Sequence, residues 1–273
     1  GRNDMDEKST SLSDRFLEQL VADLDDDTIR AIILHGSYAR NEAMPPYSDI
    51  DLVRIVQESP NPSEHKRFLY RDGYLISISS RPLSIYRQRF AQPEKAIFAV
   101  PGVREARILL DKDGTFQTFQ QEAWIWMWEP LQTAANAYVS QLMVEQTEIV
   151  LKILRALALQ DVVALADMIF DLFSAITEAI AVQRGVLVRS GNTYFHQVQE
   201  AVGQRSAWTQ LHLRVAGIEP QPALSALERG REALSLYKTT AQLLRSFIAI
   251  EYWSVIAPVL QMIEHALQQK QVG

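Results

Sequence analysis

The sequence predicts an α+β chain: a mixed β-sheet with helices over residues 1–128, followed by an all-α helical bundle over 129–273. Three observations carry this. Short apolar runs, two of them (66–71 and 74–80) flanking Asp72-Gly73, read as strands in the first half, because Asp-Gly favours a tight hairpin turn. From about Thr115 onward the apolar spacing becomes helical, and long segments rich in Ala and Leu follow. A length of 273 residues is enough for two cores of ordinary size.

In chain order, residues 1–10 are polar and are expected to be disordered, with the initial Gly suggesting processing. Apolar residues at Leu12, Phe16, Leu17, Leu20, Val21 and Leu24 predict a helix over 11–24, capped by Ser11 or Ser13. Strands are predicted at 29–34 and 50–56, then a loop at 59–63 and the hairpin. Pro82 is expected at the first helical position of 83–92, Pro93 and Pro101-Gly102 to break the chain again, and 106–110 to form a short strand. A helix over 115–128 places Trp124 and Trp128 one turn apart, which reads as packing between the domains, and Glu129-Pro130 reads as a linker. Helices are predicted at 131–159, 162–182, 194–202, 207–216, 224–236 and 241–267, with a loop at 217–220.

Composition narrows the function classes. Lys and Arg number 27 against 33 Asp and Glu, giving a formal charge of −6. No basic stripe runs along the sequence, which argues against a nucleic-acid partner, and an acidic balance suits a cationic small molecule. No apolar run reaches the ~18 residues that cross a bilayer, and no charged-then-apolar segment opens the chain. No membrane partner and a cytoplasmic location are therefore expected. With no cysteine, thiolate nucleophiles and Cys-based zinc sites are absent.

The stretch 34–56 organises the chain. An apolar strand runs into Gly36-Ser37, and after a spacer a second strand opens with Asp49 and Asp51. Side chains two residues apart on a strand share a face, so both carboxylates can grip one divalent cation. A glycine lets backbone come close to a ligand, the serine hydroxyl and adjacent N–H groups suit a phosphate, and Arg40 adds a cation.

Gly-Ser, a spacer and Asp-Ile-Asp resemble the signature of the polymerase β-like nucleotidyltransferase superfamily. The version Pro46-Tyr47-Ser48-Asp49-Ile50-Asp51 is similar to that of the aminoglycoside and minimal nucleotidyltransferases. The resemblance implies an N-terminal nucleotidyltransferase domain, Mg²⁺ held by Asp49 and Asp51, and a nucleoside triphosphate, with ATP expected, contacted by Gly36, Ser37, Arg40 and Ser48. It implies transfer of a nucleoside monophosphate, AMP by expectation, to a hydroxyl of a small molecule such as an aminoglycoside, with release of pyrophosphate. In the aminoglycoside-modifying relatives a Glu on the first helix of the helical domain is the base, with a Lys one turn later. Glu148 and Lys152 match that spacing, Glu148 as base and Lys152 as phosphate contact; the same i, i+4 spacing also suits a plain surface ion pair, and Glu145 is an alternative base. Glu42, Glu145 and Glu148 would fit a cationic acceptor. In some relatives a second subunit completes the acceptor cleft, which implies a homodimer. The pattern departs at Ser77, which stands where many relatives carry a third carboxylate. That departure supports a second reading, a nucleotide-binding regulatory or toxin–antitoxin component that modifies or silences a protein partner with weakened catalysis.

Overall fold

The computed structural model describes residues 12–218 and 223–268. The polar segment 1–10, the cap Ser11 and half of the loop 217–220 lie outside the described residues. The chain is α+β and divides into two compact units, Gly1–Met127 and Trp128–Gly273.

The first unit is built on five strands in the order β3-β4-β2-β1-β5: β1 Ile29–His35, β2 Ile50–Val56, β3 His65–Arg71, β4 Tyr74–Arg81 and β5 Arg107–Asp111. The sheet is mixed. β2 runs parallel to β4, while the other neighbours are antiparallel. Strand periodicity sorts the side chains to two faces. Ile32, Leu34, Ile50, Leu52, Ile76 and Ile78 pack with Leu17, Leu20 and Leu24 of helix α1, Asp14–Leu24, whose N-terminus is capped by Ser13. On the opposite face Ala31, Ile33, Val53 and Ile55 meet Leu83 and Tyr86 of α3 (Leu83–Phe90), Val103 of α4 (Pro93–Arg104) and Phe116 and Phe119 of α5 (Thr115–Ile125). A four-residue helix α2, Gly36–Ala39, leaves the end of β1 where the sequence indicated a turn.

Three expectations are corrected in this unit. Pro82 caps α3 from outside rather than occupying its first turn, and the backbone N–H of Ser84 is satisfied by the Glu58 carboxylate. Pro101-Gly102 does not break the chain; it lies in the last turn of α4, where the proline forgoes the bond to the carbonyl of residue 97 but is buried in the helix's apolar face. Helix α5 ends at Ile125, so the one-turn spacing of Trp124 and Trp128 is not realised.

Among the described residues of the second unit every regular element is a helix. After a 3₁₀ turn at Glu129–Leu131, where a linker was expected, come α6 Gln132–Leu159, α7 Val162–Gln183, α8 Tyr194–Val202, α9 Ala207–Val215, α10 Ala226–Leu244 and α11 Ile250–Gln268. Trp128 belongs here: its indole N–H donates to Gln132, and a Cβ on Gly185 would come within 2.5 Å of its ring. The break predicted near 237–240 falls instead after Leu244. The hydroxyls of Thr239 and Thr240 donate to carbonyls four residues back and the helix continues. At the real break the Ser140 hydroxyl of α6 accepts from the Ala249 N–H, a tertiary cap that local sequence does not announce.

His212 sits at the centre of this unit, fully buried between the rings of Phe173 and Trp208. The Thr177 hydroxyl donates to the Phe173 carbonyl, so His212 Nε2 donates to Thr177 at 3.0 Å and Nδ1 accepts from Gln199 at 3.1 Å. The ring is thereby fixed neutral, and burial lowers its pKa from 6.5 to about 4. Its hydrogen-bond and ring partners, Phe173, Thr177, Phe195, Gln199 and Trp208, are uncharged. A base with a depressed folded pKa gives its full stabilisation above 6.5 and loses it as pH falls from 6.5 toward 4. We predict that urea unfolding of this unit weakens by on the order of 2 kcal/mol between pH 6.5 and 5. In His212→Gln that slope largely disappears, and an equal slope in both proteins would exclude His212 as its source.

Candidate active site

β1 ends at His35, and its partner in register across the antiparallel ladder is Asp51; on the other side of β2, Asp51 is in register with Ser77 of β4. Strand pairing thus brings Asp51 and Gly36 together at one end of the central strands, and Asp49 stands one residue before β2 begins. Gly36 takes a left-handed φ of +71°, and a Cβ built on it would lie 2.7 Å from Asp51 Oδ2. The glycine is needed twice there, for the backbone conformation and for the room that the carboxylate occupies.

The connection between α2 and β2 is held by short-range bonds. The Glu42 N–H donates to the Ser37 carbonyl at 2.9 Å, and the Met44 N–H donates to the Ser48 hydroxyl at 2.8 Å. Arg40 is nearly buried and pairs with Glu42 at 2.8 Å and Glu105 at 3.7 Å. Ser48 and Arg40 therefore already serve the loop that delivers Asp49 and Asp51, and Arg40 reaches a phosphate only by sharing its guanidinium with Glu42.

Asp49 is exposed and Asp51 half-buried. Burial, then the like charge of Asp49, raises the Asp51 pKa, against the opposing effects of the Ser77 hydroxyl that donates to it and of Lys66 and Arg40. The negative charge of Asp49 beside Asp51 makes the two carboxylates a donor set whose repulsion a divalent cation would relieve, and hard oxygen ligands fit Mg²⁺. Among the described residues no third Asp, Glu or His completes a metal cage, so such an ion would take its remaining ligands from phosphate oxygens and water. Ser77, buried against Asp51, holds the position where an acid was expected.

The face of the sheet that carries Asp51 also carries Ser77, Ser79 and Arg81 at alternate positions of β4. The α1 side of the same strand bears Ile76 and Ile78, which fill their space. Two serines leave space, and a cavity of about 500 Å³ opens between β2, β4 and helices α3 and α4. His35 lines it, with Nε2 3.3 Å from the Tyr86 hydroxyl and its ring against Gly102. Desolvation first, then Arg81 and Arg40, lowers the His35 pKa from 6.5 to about 4, so the imidazole is neutral at pH 7. Lys66, Arg81, Arg89 and Lys95 also line the cavity. No stretch of sequence displays this basic group, because its members come from β3, β4, α3 and α4; only the period-two row Ser77, Ser79, Arg81 could have been read beforehand.

Glu148 and Lys152 lie on α6 in the second unit and pair with each other at 2.7 Å, both well exposed. The hydrogen bond from Lys152 lowers the Glu148 pKa. Glu145 accepts from Gln141 at 2.6 Å.

Comparison with known proteins bears on the first unit. Residues 14–97 match the family model of the nucleotidyltransferase domain. No curated protein matches the chain. Among solved structures, a nucleotidyltransferase-like protein from Exiguobacterium sibiricum 255-15 is 11% identical, with a TM-score of 0.48 over 84% of this chain and 73% of that one. The family-model match spans α1, the Gly36-Ser37 bend, the Asp49-Asp51 pair and β4, and that model places residues 14–97 in the polymerase β-like nucleotidyltransferase superfamily.

Proposed function

We propose that the protein transfers a nucleoside monophosphate, AMP from ATP, to a hydroxyl of a small-molecule acceptor and releases pyrophosphate. The observation that carries this reading is the packing of Asp51 against Gly36, with Asp49 beside it and a 500 Å³ cavity at its other side. Gly36 and Ser37 receive the triphosphate, Ser48 and Arg40 hold the loop and its charge, and Asp49 and Asp51 hold Mg²⁺. Bound there, the ion would neutralise triphosphate charge as pyrophosphate departs.

In the transfer, the acceptor oxygen bonds to the α-phosphorus, the bond from that phosphorus to the bridging oxygen breaks, and pyrophosphate leaves with the electron pair. The hydroxyl proton passes to a carboxylate. By resemblance that base is Glu148, with Lys152 one turn on as a phosphate contact. Their mutual ion pair keeps Glu148 ionised, which a base needs, and weakens it as a proton acceptor. Aminoglycosides are one acceptor class that the motif supports, and a homodimer is part of the same reading. The serine at position 77 supports a second reading, a nucleotide-binding component that modifies or silences a protein partner.

Three outcomes are expected. Asp51→Asn lowers pyrophosphate release from ATP and Mg²⁺ by on the order of 10²–10³-fold while the fold is retained by circular dichroism; full activity would remove the metal assignment. Gly36→Ala, which adds ~1–3 kcal/mol of backbone strain and displaces the Asp51 carboxylate, raises the Mg²⁺ concentration needed for half-maximal turnover; an unchanged Mg²⁺ titration would detach Gly36 from the site. Glu148→Gln lowers kcat by roughly 10²-fold with KM for ATP little altered; unchanged kcat would leave Glu148 as a surface ion-pair member.

A further inference from the structure

The cavity beside Asp51 has a charge that the net charge of the chain does not foretell. Four cations line it, and the acids that line it with them are Asp51 and Glu94. Asp51 is committed to the metal in the reading above. Arg81 is nine-tenths buried, at 9% exposure, and its Nε–H has no hydrogen-bond acceptor among the described residues. That N–H is itself covered, so what Arg81 offers the cavity it lines is a desolvated positive charge whose lost hydration is only partly replaced by the chain's own acceptors. Arg81 is fixed in place: Nη2 meets Glu64 at 2.7 Å and the guanidinium lies 5.1 Å from the Tyr86 ring centroid. Arg89 pairs with the other oxygen of Glu64. Lys66 and Lys95 form no ion pair among the described residues and lie at the rim.

Gly36, Ser37, Arg40 and Asp49 do not line this cavity, whereas Asp51 does. The triphosphate contacts and the basic cavity are thus two places that meet at one carboxylate. We infer that the cavity receives an anionic group, phosphate or carboxylate, of the second substrate, and that the acceptor is an anionic hydroxyl compound rather than a polycation. This rests on the transfer reading for the word acceptor, and on the cavity alone for the anion. The anion seats on Arg81 between Lys66 and Lys95, the acceptor hydroxyl points toward Asp51, its oxygen takes the nucleotidyl group, its proton goes to the base, and pyrophosphate leaves as above. A polyammonium acceptor would bring like charges to a desolvated guanidinium, which is unfavourable by the same electrostatics.

The test has a binding arm and a turnover arm. In the first, inorganic phosphate is titrated by calorimetry into the full-length protein with the triphosphate site filled by a non-hydrolysable ATP analogue and Mg²⁺. Phosphate binds, and Lys95→Glu weakens it by about tenfold or more while affinity for the ATP analogue is unchanged. Lys95 is exposed, so this variant folds; Arg81→Lys, which keeps charge but removes Nε–H, gives a second loss. In the turnover arm, pyrophosphate release is compared for sugar monophosphates, hydroxy acids and aminoglycosides. Release with either anionic class, with KM raised in Lys95→Glu, supports the proposal and tells phosphate from carboxylate. Release with aminoglycosides alone overturns it and leaves nucleotidyl transfer standing. Phosphate binding that Lys95→Glu does not alter, or an equal loss of ATP-analogue affinity, also overturns it. No release with any acceptor, with phosphate binding still dependent on Lys95, overturns the transfer reading and keeps the anion site.

Discussion

The site depends on one steric constraint: the Asp51 carboxylate occupies the volume in which any side chain at position 36 would begin. Strand pairing sets it. β1 and β2 place His35 opposite Asp51, so the residue after His35 must turn away from the ladder within one position, and a left-handed glycine does so at low cost. The bend that would receive phosphate and the carboxylate that would hold its cation are therefore not independent features brought close by packing. They are two sides of one backbone crossing, and neither can move without the other.

From that crossing the sheet divides by face. Toward α1 the central strands present Ile and Leu and make a dry core; toward α3 and α4, β4 presents Ser77, Ser79 and Arg81. Filling one face and hollowing the other lets the sheet be a rigid support and a cavity wall at once. The raised pKa of Asp51 and the lowered pKa of His35 share desolvation as their largest cause, and both follow from this placement at the wall. An acidic chain can hence enclose a basic recess, since net charge counts residues while a recess selects them by position.

The features legible in the sequence were those with short period. The apolar run in 50–56, the Asp72-Gly73 turn and the Ser13 cap each depend on a few adjacent residues; each strand lies within one residue of the reading, and the first helix begins three residues later than read. The Gly-Ser and Asp-Ile-Asp elements were equally local, and the family-model match supports their reading as part of a nucleotidyltransferase domain. What escaped was tertiary. Pro101 reads as a breaker because its burial in α4 is not visible locally, and the α10–α11 break falls away from its predicted place because its cap comes from Ser140, 109 positions away. The basic recess escaped for the same reason, as Lys66, Arg81, Arg89 and Lys95 converge only after two helices close over the sheet.

Glu64 stands just before β3 and joins two guanidiniums, Arg81 at the end of β4 and Arg89 on α3. Its negative charge lies behind the cations rather than in the recess, so it orients them without cancelling them from the front. Side chains as long as arginine lose much rotamer freedom when they grip a ligand. Here that entropy is surrendered during folding, to an internal carboxylate, and whatever enters finds the forks already aimed.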